Sequence, residues 1–226
     1  MNDLGPGLHD LPWTSALALR IAGETCGEDC RSYHSVWGFL RLLGNLPAVA
    51  NDHAFLEQAL ERAIEKGARR VLVSGSADHG ILAYVLAAFE QAGLPSEVTV
   101  IDRCGTPLAV CEEYAAKRGH QIHTSAADAL AYADAPFDLI VAHNFLNFFS
   151  PKDRVLLVKN WFDLLKPGGR LISVSTLKPD APDQWRRFNG EDADRLADRM
   201  CGALAQGDHA MLIDEHRLRK LISDYT

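Results

Sequence analysis

Residues 137 to 175 form the segment that most constrains the fold of this chain. The segment begins with the apolar run Leu139–Val141, continues through a loop that carries His143, Asn144 and Asn147, and ends in an amphipathic helix, a Pro-Gly-Gly turn and a second apolar run. A short apolar run without alternation is typical of a strand that is covered on both faces. In a parallel α/β sheet the loop after such a strand lies at the carboxyl edge, where ligands bind. The segment therefore predicts both a fold and a site.

The same alternation of strands and helices extends over residues 69 to 176. Predicted strands cover Arg70–Ser74, Val98–Asp102, Gln121–Thr124, Phe137–Ala142 and Arg170–Thr176, and predicted helices cover about His79–Gln91, Pro107–Arg118 and Lys152–Leu165. This spacing predicts an α/β fold with a doubly wound, mostly parallel sheet. Residues 1 to 66 are predicted to be helical, including a helix that Asn51 or Asp52 caps and that Gly67 ends. The tail after Leu177 shows helical stretches and no convincing pair of strands.

Composition and charge narrow the choice of partners and compartment. A chain of 226 residues with 47% hydrophobic content can bury a full core. Its net charge of -7 argues against a nucleic-acid partner, which normally requires a basic face. The first residues lack the pattern of a signal peptide, and no apolar run approaches membrane-spanning length. Together with an odd number of cysteines, five, this predicts a cytoplasmic protein without a membrane partner.

Cys26, Cys30 and His34 form the arrangement that most resembles a metal site. The two cysteines lie four positions apart and could share a helical face with the histidine. A four-ligand zinc site usually has a second ligand pair at fixed spacing, and the sequence shows none. We therefore predict no metal site from the sequence.

A glycine turn follows the first predicted strand. The pattern Gly75-x-Ala77-x-x-Gly80 is a degraded form of the nucleotide-binding fingerprint, in which glycine permits a tight turn and a small residue lets a ligand approach. Asp102 ends the next strand, 27 residues after Gly75. That is near the spacing at which an acidic side chain accepts hydrogen bonds from ribose hydroxyls. Together the turn and Asp102 indicate a nucleotide-like ligand.

At these motifs the sequence resembles the class I S-adenosylmethionine-dependent methyltransferases. The resemblance runs from about Arg70 to Thr176 and rests on VLVSGSADHG, VTVIDR, SAADAL, FDLIVAHNFLNFF and LLKPGGRLISVS. It implies a Rossmann-like core with a helical N-terminal cap and S-adenosyl-L-methionine as the cofactor. Two departures stand out: Val73 and Ser74 occupy positions where the family commonly has an acidic residue, and the usual closing pair of strands is missing after residue 177.

The resemblance also implies roles for individual residues. The Gly75 turn contacts the methionine part of the cofactor, Asp102 holds the ribose and Asp128 approaches the adenine amino group. The predicted cofactor-binding residues are Ser74, Gly75, Ser76, Ala77, Asp102, Arg103, Ala127, Asp128 and His143.

We predict an acceptor pocket between the N-terminal helices and the loop after the fourth strand. Its predicted substrate-binding residues are Tyr33, Trp37, Asn144, Asn147 and Phe148. His34 and His143 are the candidate catalytic bases, because an imidazole titrates near neutral pH. An aromatic lid would also suit a cationic sulfonium, although helical spacing of aromatic residues is equally typical of core packing.

These patterns predict a helical cap over residues 1–66, a cofactor-binding core over 67–177 and a helical C-terminal segment of the same domain over 178–226. The predicted function is methyl transfer to a small-molecule substrate. An NAD-dependent oxidoreductase could use the Gly75 turn and Asp102, but it leaves the Pro-Gly-Gly element unexplained. A non-catalytic protein that keeps the cofactor pocket is the other alternative. The acceptor atom, the need for a base and a homodimer all stay open.

Overall fold

A computed structural model describes residues 5–46, 49–176, 190–207, 209 and 211–226. The chain divides into two compact units, residues 1–9 with 49–176 and residues 10–48 with 177–226. We call them the sheet unit and the helical unit. The helix at His53–Glu65, which the sequence analysis placed in the N-terminal cap, belongs to the sheet unit. The predicted domain boundaries stay a prediction.

Eight α-helices, five strands and three short 3₁₀ helices, at Leu8–Asp10, Val49–Asp52 and Phe145–Phe148, make up the regular structure of the described residues. The helices are α1 (Leu11–Thr25), α2 (Glu28–Leu42), α3 (His53–Glu65), α4 (Gly80–Ala92), α5 (Gly105–Lys117), α6 (Pro151–Leu164), α7 (Gly190–Gln206) and α8 (Glu215–Tyr225). The strands are β1 (Arg70–Ser74), β2 (Glu97–Asp102), β3 (His123–Ala126), β4 (Phe137–His143) and β5 (Leu165–Val174). The five strands form one parallel sheet in the order β3-β2-β1-β4-β5. The predicted α/β, doubly wound fold is confirmed.

The centre of the sheet is fully apolar. Val71–Val73 of β1 and Leu139–Val141 of β4 have no exposed surface and pair in register. The chain builds outward from β1 to β3 and then returns to β4 on the other side of β1. Such a reversal of strand order opens a crevice at the carboxyl edge, which is where ligands of open α/β sheets bind. The candidate site therefore lies at the ends of β1, β2 and β4.

The fifth strand begins earlier than the sequence predicts. The predicted strand starts at Arg170, whereas β5 starts at Leu165 and includes Lys166, whose Nζ is 2.7 Å from Asp138 Oδ1. The ladder with β4 is irregular here, because Phe137 pairs with Leu165 whereas Leu139 pairs with Arg170. This β-bulge accommodates the Pro-Gly-Gly element within the strand, which is why the strand begins earlier than predicted. Gly168 has φ +81°, a left-handed conformation that glycine adopts without steric cost.

The buried apolar face of α6 is a narrow row of three residues. Leu157, Trp161 and Leu164 are buried, whereas Val155 is 69% exposed and Phe162 is 76% exposed. Trp161 also donates a hydrogen bond from Nε1 to Ser74 Oγ over 2.9 Å. One row of α6 side chains thus holds the helix against the sheet, and its other apolar residues are exposed.

The helical unit has a core of its own. Val36, Phe39 and Leu40 of α2 pack with residues of α7 and α8, namely Leu196, Met200, Leu204, Leu218 and Ile222. Within the described part of the tail, residues 190–207, 209 and 211–226, the regular elements are these two helices, and no closing strand occurs there. Across all described residues, no helix combines the length and the apolar character needed to cross a membrane.

Candidate active site

The turn after β1 and the end of β2 form one hydrogen-bonded structure. Gly75 has φ +78°, and its N–H donates to Ile101 O over 2.9 Å. The next amide, Ser76 N–H, donates to Asp102 Oδ2 over 3.1 Å. The register of β1 with β2, Ser74 opposite Ile101, places the turn and the carboxylate at the same edge. This is the juxtaposition that a ribose-bearing ligand requires.

Asp102 is a partly buried acceptor at the sheet edge. Its Oδ1 accepts a hydrogen bond from Cys104 N–H over 2.9 Å. Desolvation raises the pKa of Asp102 above the usual 3.8, and the hydrogen bonds from the Cys104 and Ser76 amides oppose that rise. Each carboxylate oxygen has a second lone-pair direction that one backbone bond does not use. Asp102 can therefore accept further hydrogen bonds from ligand hydroxyls.

Phe145 is a site residue that the sequence analysis missed. Its ring lies over Gly75 so closely that a Cβ on Gly75 would be 2.5 Å from Phe145 Cγ, with Cδ2 and Cε2 closer still. Asn144, the residue before it, has φ +52°, and its Oδ1 accepts hydrogen bonds from Thr176 N–H at 2.7 Å and Asn147 Nδ2 at 3.5 Å. An αL asparagine is uncommon and marks a loop that its surroundings fix. Phe145 thus forms a wall of the Gly75 turn.

His143 ends β4 and forms an ion-pair geometry with Asp52. The distance from His143 Nε2 to Asp52 Oδ2 is 2.8 Å, and the histidine side chain is 9% exposed. Asp52 is the N-cap residue of α3, but its side chain makes no capping hydrogen bond. The predicted capping role of the Asp52 side chain was therefore wrong. The partners lie 91 positions apart, so no sequence signal joins them.

The other predicted cofactor residues of the sheet unit occupy the same edge with different degrees of exposure. Arg103 and Asp128 are exposed, and Ala77 and Ala127 are half-buried. The exposed Asp128 uses Oδ1 to accept a hydrogen bond from Leu130 N–H over 2.9 Å. Ser74 has no exposed surface and is bound by Trp161, so its contact is with the core. These assignments stay predictions.

The predicted residues of the helical unit lie on α2. The rings of Tyr33 and Trp37 are 5.0 Å apart between centroids, and both residues are half-buried. His34 is buried, and burial lowers the pKa of its imidazole from 6.5 to about 4. A base with so low a pKa is mostly neutral at pH 7 but has little affinity for a proton. The proposed pocket residues Asn147 and Phe148 lie in the sheet unit, where Phe148 is 60% exposed.

A comparison with family models matches the segment that contains this sheet edge. Residues 75–173 match the model of a methyltransferase domain. The match begins at the Gly75 turn and ends in β5, so it spans the Asp102 carboxylate and the β4 loop just described. Over these residues the chain is similar to a methyltransferase domain. A search of curated proteins finds no match for the chain.

The chain is similar to solved structures over only part of its length, and it spans less than two thirds of the length of each of the three described next. One is the N-methyltransferase NodS from Bradyrhizobium japonicum WM9 with S-adenosyl-L-homocysteine, at 24% identity and a TM-score of 0.44 over 54% of this chain and 60% of that one. Another is an S-adenosylmethionine-dependent methyltransferase from Clostridium acetobutylicum ATCC 824, at 14% identity and a TM-score of 0.48 over 64% and 56%. A third is the PH0226 protein from Pyrococcus horikoshii OT3, at 21% identity and a TM-score of 0.47 over 66% and 59%.

Proposed function

We propose that this protein is a methyltransferase that moves the methyl group of S-adenosyl-L-methionine to a small-molecule acceptor, using the sheet edge at Gly75, Asp102 and His143. The observation that carries the proposal is the hydrogen bond from the Ser76 amide to Asp102. It joins the glycine turn to the carboxylate, so one rigid structure presents both to a ligand. The net charge of -7 supports an acceptor other than nucleic acid.

The residues present at the turn fit the cofactor. Asp102 offers acceptor positions for the ribose hydroxyls, and Gly75, with φ +78°, forms a tight turn with no side chain between its backbone and the Phe145 ring. The bound cofactor supplies an electrophilic methyl group on a sulfonium. The face of the Phe145 ring attracts such a positive charge, because the ring quadrupole is negative on its faces. Phe145 therefore orients the cationic end of the cofactor, next to the turn over which its ring lies.

His143 removes the proton when the acceptor carries one. The register of β1 with β4, Val73 opposite Val141, places His143 level with Gly75 at the carboxyl edge. Asp52 accepts from Nε2 over 2.8 Å and therefore leaves Nδ1 as the basic nitrogen in the neutral ring. Asp52 is a positioning residue that fixes the tautomer and stabilises the imidazolium after proton transfer.

Calorimetry with S-adenosyl-L-homocysteine tests the cofactor assignment. We expect Asp102→Asn to weaken binding about 5- to 150-fold, equivalent to about 1–3 kcal/mol, because it leaves ribose hydroxyls poorly paired. The matched control is Asp163→Asn on α6, where the carboxylate is 52% exposed and pairs with Lys159. Equal affinity in both variants, or binding of NAD in place of S-adenosyl-L-homocysteine, contradicts the proposal.

The small-molecule acceptor is tested separately. The protein is incubated with isotopically labelled S-adenosyl-L-methionine and a protein-free, nucleic-acid-free metabolite extract, and labelled products are separated by mass. We expect at least one labelled metabolite, formed in smaller amounts with Asp102→Asn at a limiting concentration of S-adenosyl-L-methionine. Label that enters only protein or nucleic acid in parallel reactions would overturn the small-molecule assignment while leaving methyl transfer intact.

A further inference from the structure

Three metal-ligating side chains of the helical unit converge at the junction of α1 and α2. The Sγ atoms of Cys26 and Cys30 and a ring nitrogen of His34 all lie within 4.8 Å of one another. Cys26 Sγ is 3.3 Å from His34 Nδ1. Cys26 and His34 are buried, at 5% and 6% exposure, and Cys30 is half-buried. The cysteines are thiols and not a disulfide.

The separations suit a tetrahedral zinc ion. Zinc–sulfur bonds of about 2.3 Å and zinc–nitrogen bonds of about 2.0–2.1 Å place sulfur and nitrogen ligands about 3.6 Å apart around a tetrahedron. The 3.3 Å separation of Cys26 Sγ and His34 Nδ1 is close to that value. Thiolate and imidazole are the ligand types that select zinc over magnesium or calcium.

The backbone explains why three residues spaced four apart meet. Cys26 is the C-cap residue of α1 with extended φ and ψ, and Gly27 is the N-cap residue of α2 with φ −65° and ψ 172°. The chain therefore turns a corner between the helices immediately after Cys26. Cys30 and His34 then lie one turn apart on one face of α2. No second ligand pair is visible in the sequence, which is why a metal site was not predicted. The corner instead brings Cys26 of one helix end next to Cys30 and His34 of the following helix.

We propose that Cys26, Cys30 and His34 bind one zinc ion that joins the end of α1 to the first turns of α2. The ion bonds to two thiolates and to Nδ1, and two thiol protons are released on binding. Its role is structural: it fixes the angle of the helical corner. Water or one more side chain completes the tetrahedron. A ligand role occupies the Nδ1 of His34, so this nitrogen would not act as a catalytic base.

Metal content and spectroscopy of the full chain test the proposal. We expect the purified protein to hold one zinc per chain, and the metal-free protein to bind one Co²⁺ with the thiolate-to-cobalt charge-transfer bands and intense visible bands of tetrahedral cobalt. Cys30→Ser should lower the zinc affinity at least about 100-fold. The matched control is Cys201→Ser, a buried cysteine of α7 in the same unit, which should bind zinc as the wild type does.

A measurement on the unmodified chain keeps the test independent of variant folding. Zinc should slow the alkylation of Cys26 and Cys30 by iodoacetamide at least about tenfold, and a third protected cysteine would be the fourth ligand. A wild-type protein that binds neither Zn²⁺ nor Co²⁺, or whose Cys26 and Cys30 react equally fast with and without Zn²⁺, overturns the proposal. In that outcome the 3.3 Å contact is a thiol–imidazole hydrogen bond.

Discussion

The contact of Phe145 with Gly75 allows a sharp test of the structure, because the chain contains a matched glycine. Gly75 and Gly119 both have φ +78°, but a Cβ on Gly119 would meet no atom within 4 Å. Alanine at either position incurs the cost of the left-handed conformation, about 1–2 kcal/mol. Alanine at Gly75 also collides with the Phe145 ring, at 2.5 Å from Cγ. Overpacking of this kind costs about 1–3 kcal/mol more.

Denaturant unfolding of the two alanine variants measures the difference. We expect Gly119→Ala to lose about 1–2 kcal/mol of unfolding free energy and Gly75→Ala to lose about 2–5 kcal/mol. Addition of Phe145→Leu to Gly75→Ala should recover at least about 1 kcal/mol relative to the sum of the single effects, since neighbouring residues couple. Losses that agree within about 0.5 kcal/mol, together with additive behaviour of the double variant, would refute the packing of Phe145 on the turn.

The remaining predictions concern charge. The pKa of Asp102 is raised, so the folded chain binds this proton more tightly than the unfolded chain and acidification favours the folded state. A protonated Asp102 accepts hydrogen bonds less well, so acidification should weaken S-adenosyl-L-homocysteine binding. Calorimetry should show that the affinity of the wild type decreases as the pH is lowered, whereas that of Asp102→Asn does not. Asp52→Asn should lower kcat about 10- to 100-fold and change its pH profile while the cofactor Kd stays constant; an unchanged profile would rule out positioning of His143. Desolvation raises the pKa of Asp138, but the opposing hydrogen bonds from Lys166 and from the Arg70 and Arg69 amides lower it on balance below 3.8. Asp138→Asn should therefore destabilise the fold by about 1–3 kcal/mol at pH 7 and less as the pH falls below 3.8, whereas an effect of equal size at every pH would contradict the pairing.

Short-range patterns in the sequence were sufficient to predict most of the secondary structure of the sheet unit. The apolar runs of β1 and β4 predict buried strands because their burial on both faces requires nothing but apolar side chains. The positive φ of Gly168 and the edge position of Asp102 follow from residues next to them in the chain. Ser150 capping α6, where it accepts from Asp153 N–H over 3.2 Å, belongs to the same group. Each of these features depends on the conformation of a few consecutive residues.

Tertiary structure decided the features that join distant residues. Asp52 and His143 are in contact although 91 positions separate them in the sequence. The Phe145 ring, in the loop after β4, contacts Gly75, in the turn after β1. The convergence of Cys26 with His34 required the corner between two helices, and the early start of β5 required a bulge opposite β4. Sequence patterns report which face of an element is apolar, because that depends on periodicity. Sequence patterns do not show which polar side chains of two distant elements will be in contact. Those contacts depend on strand register and on helix packing, which are set only when the elements fold together.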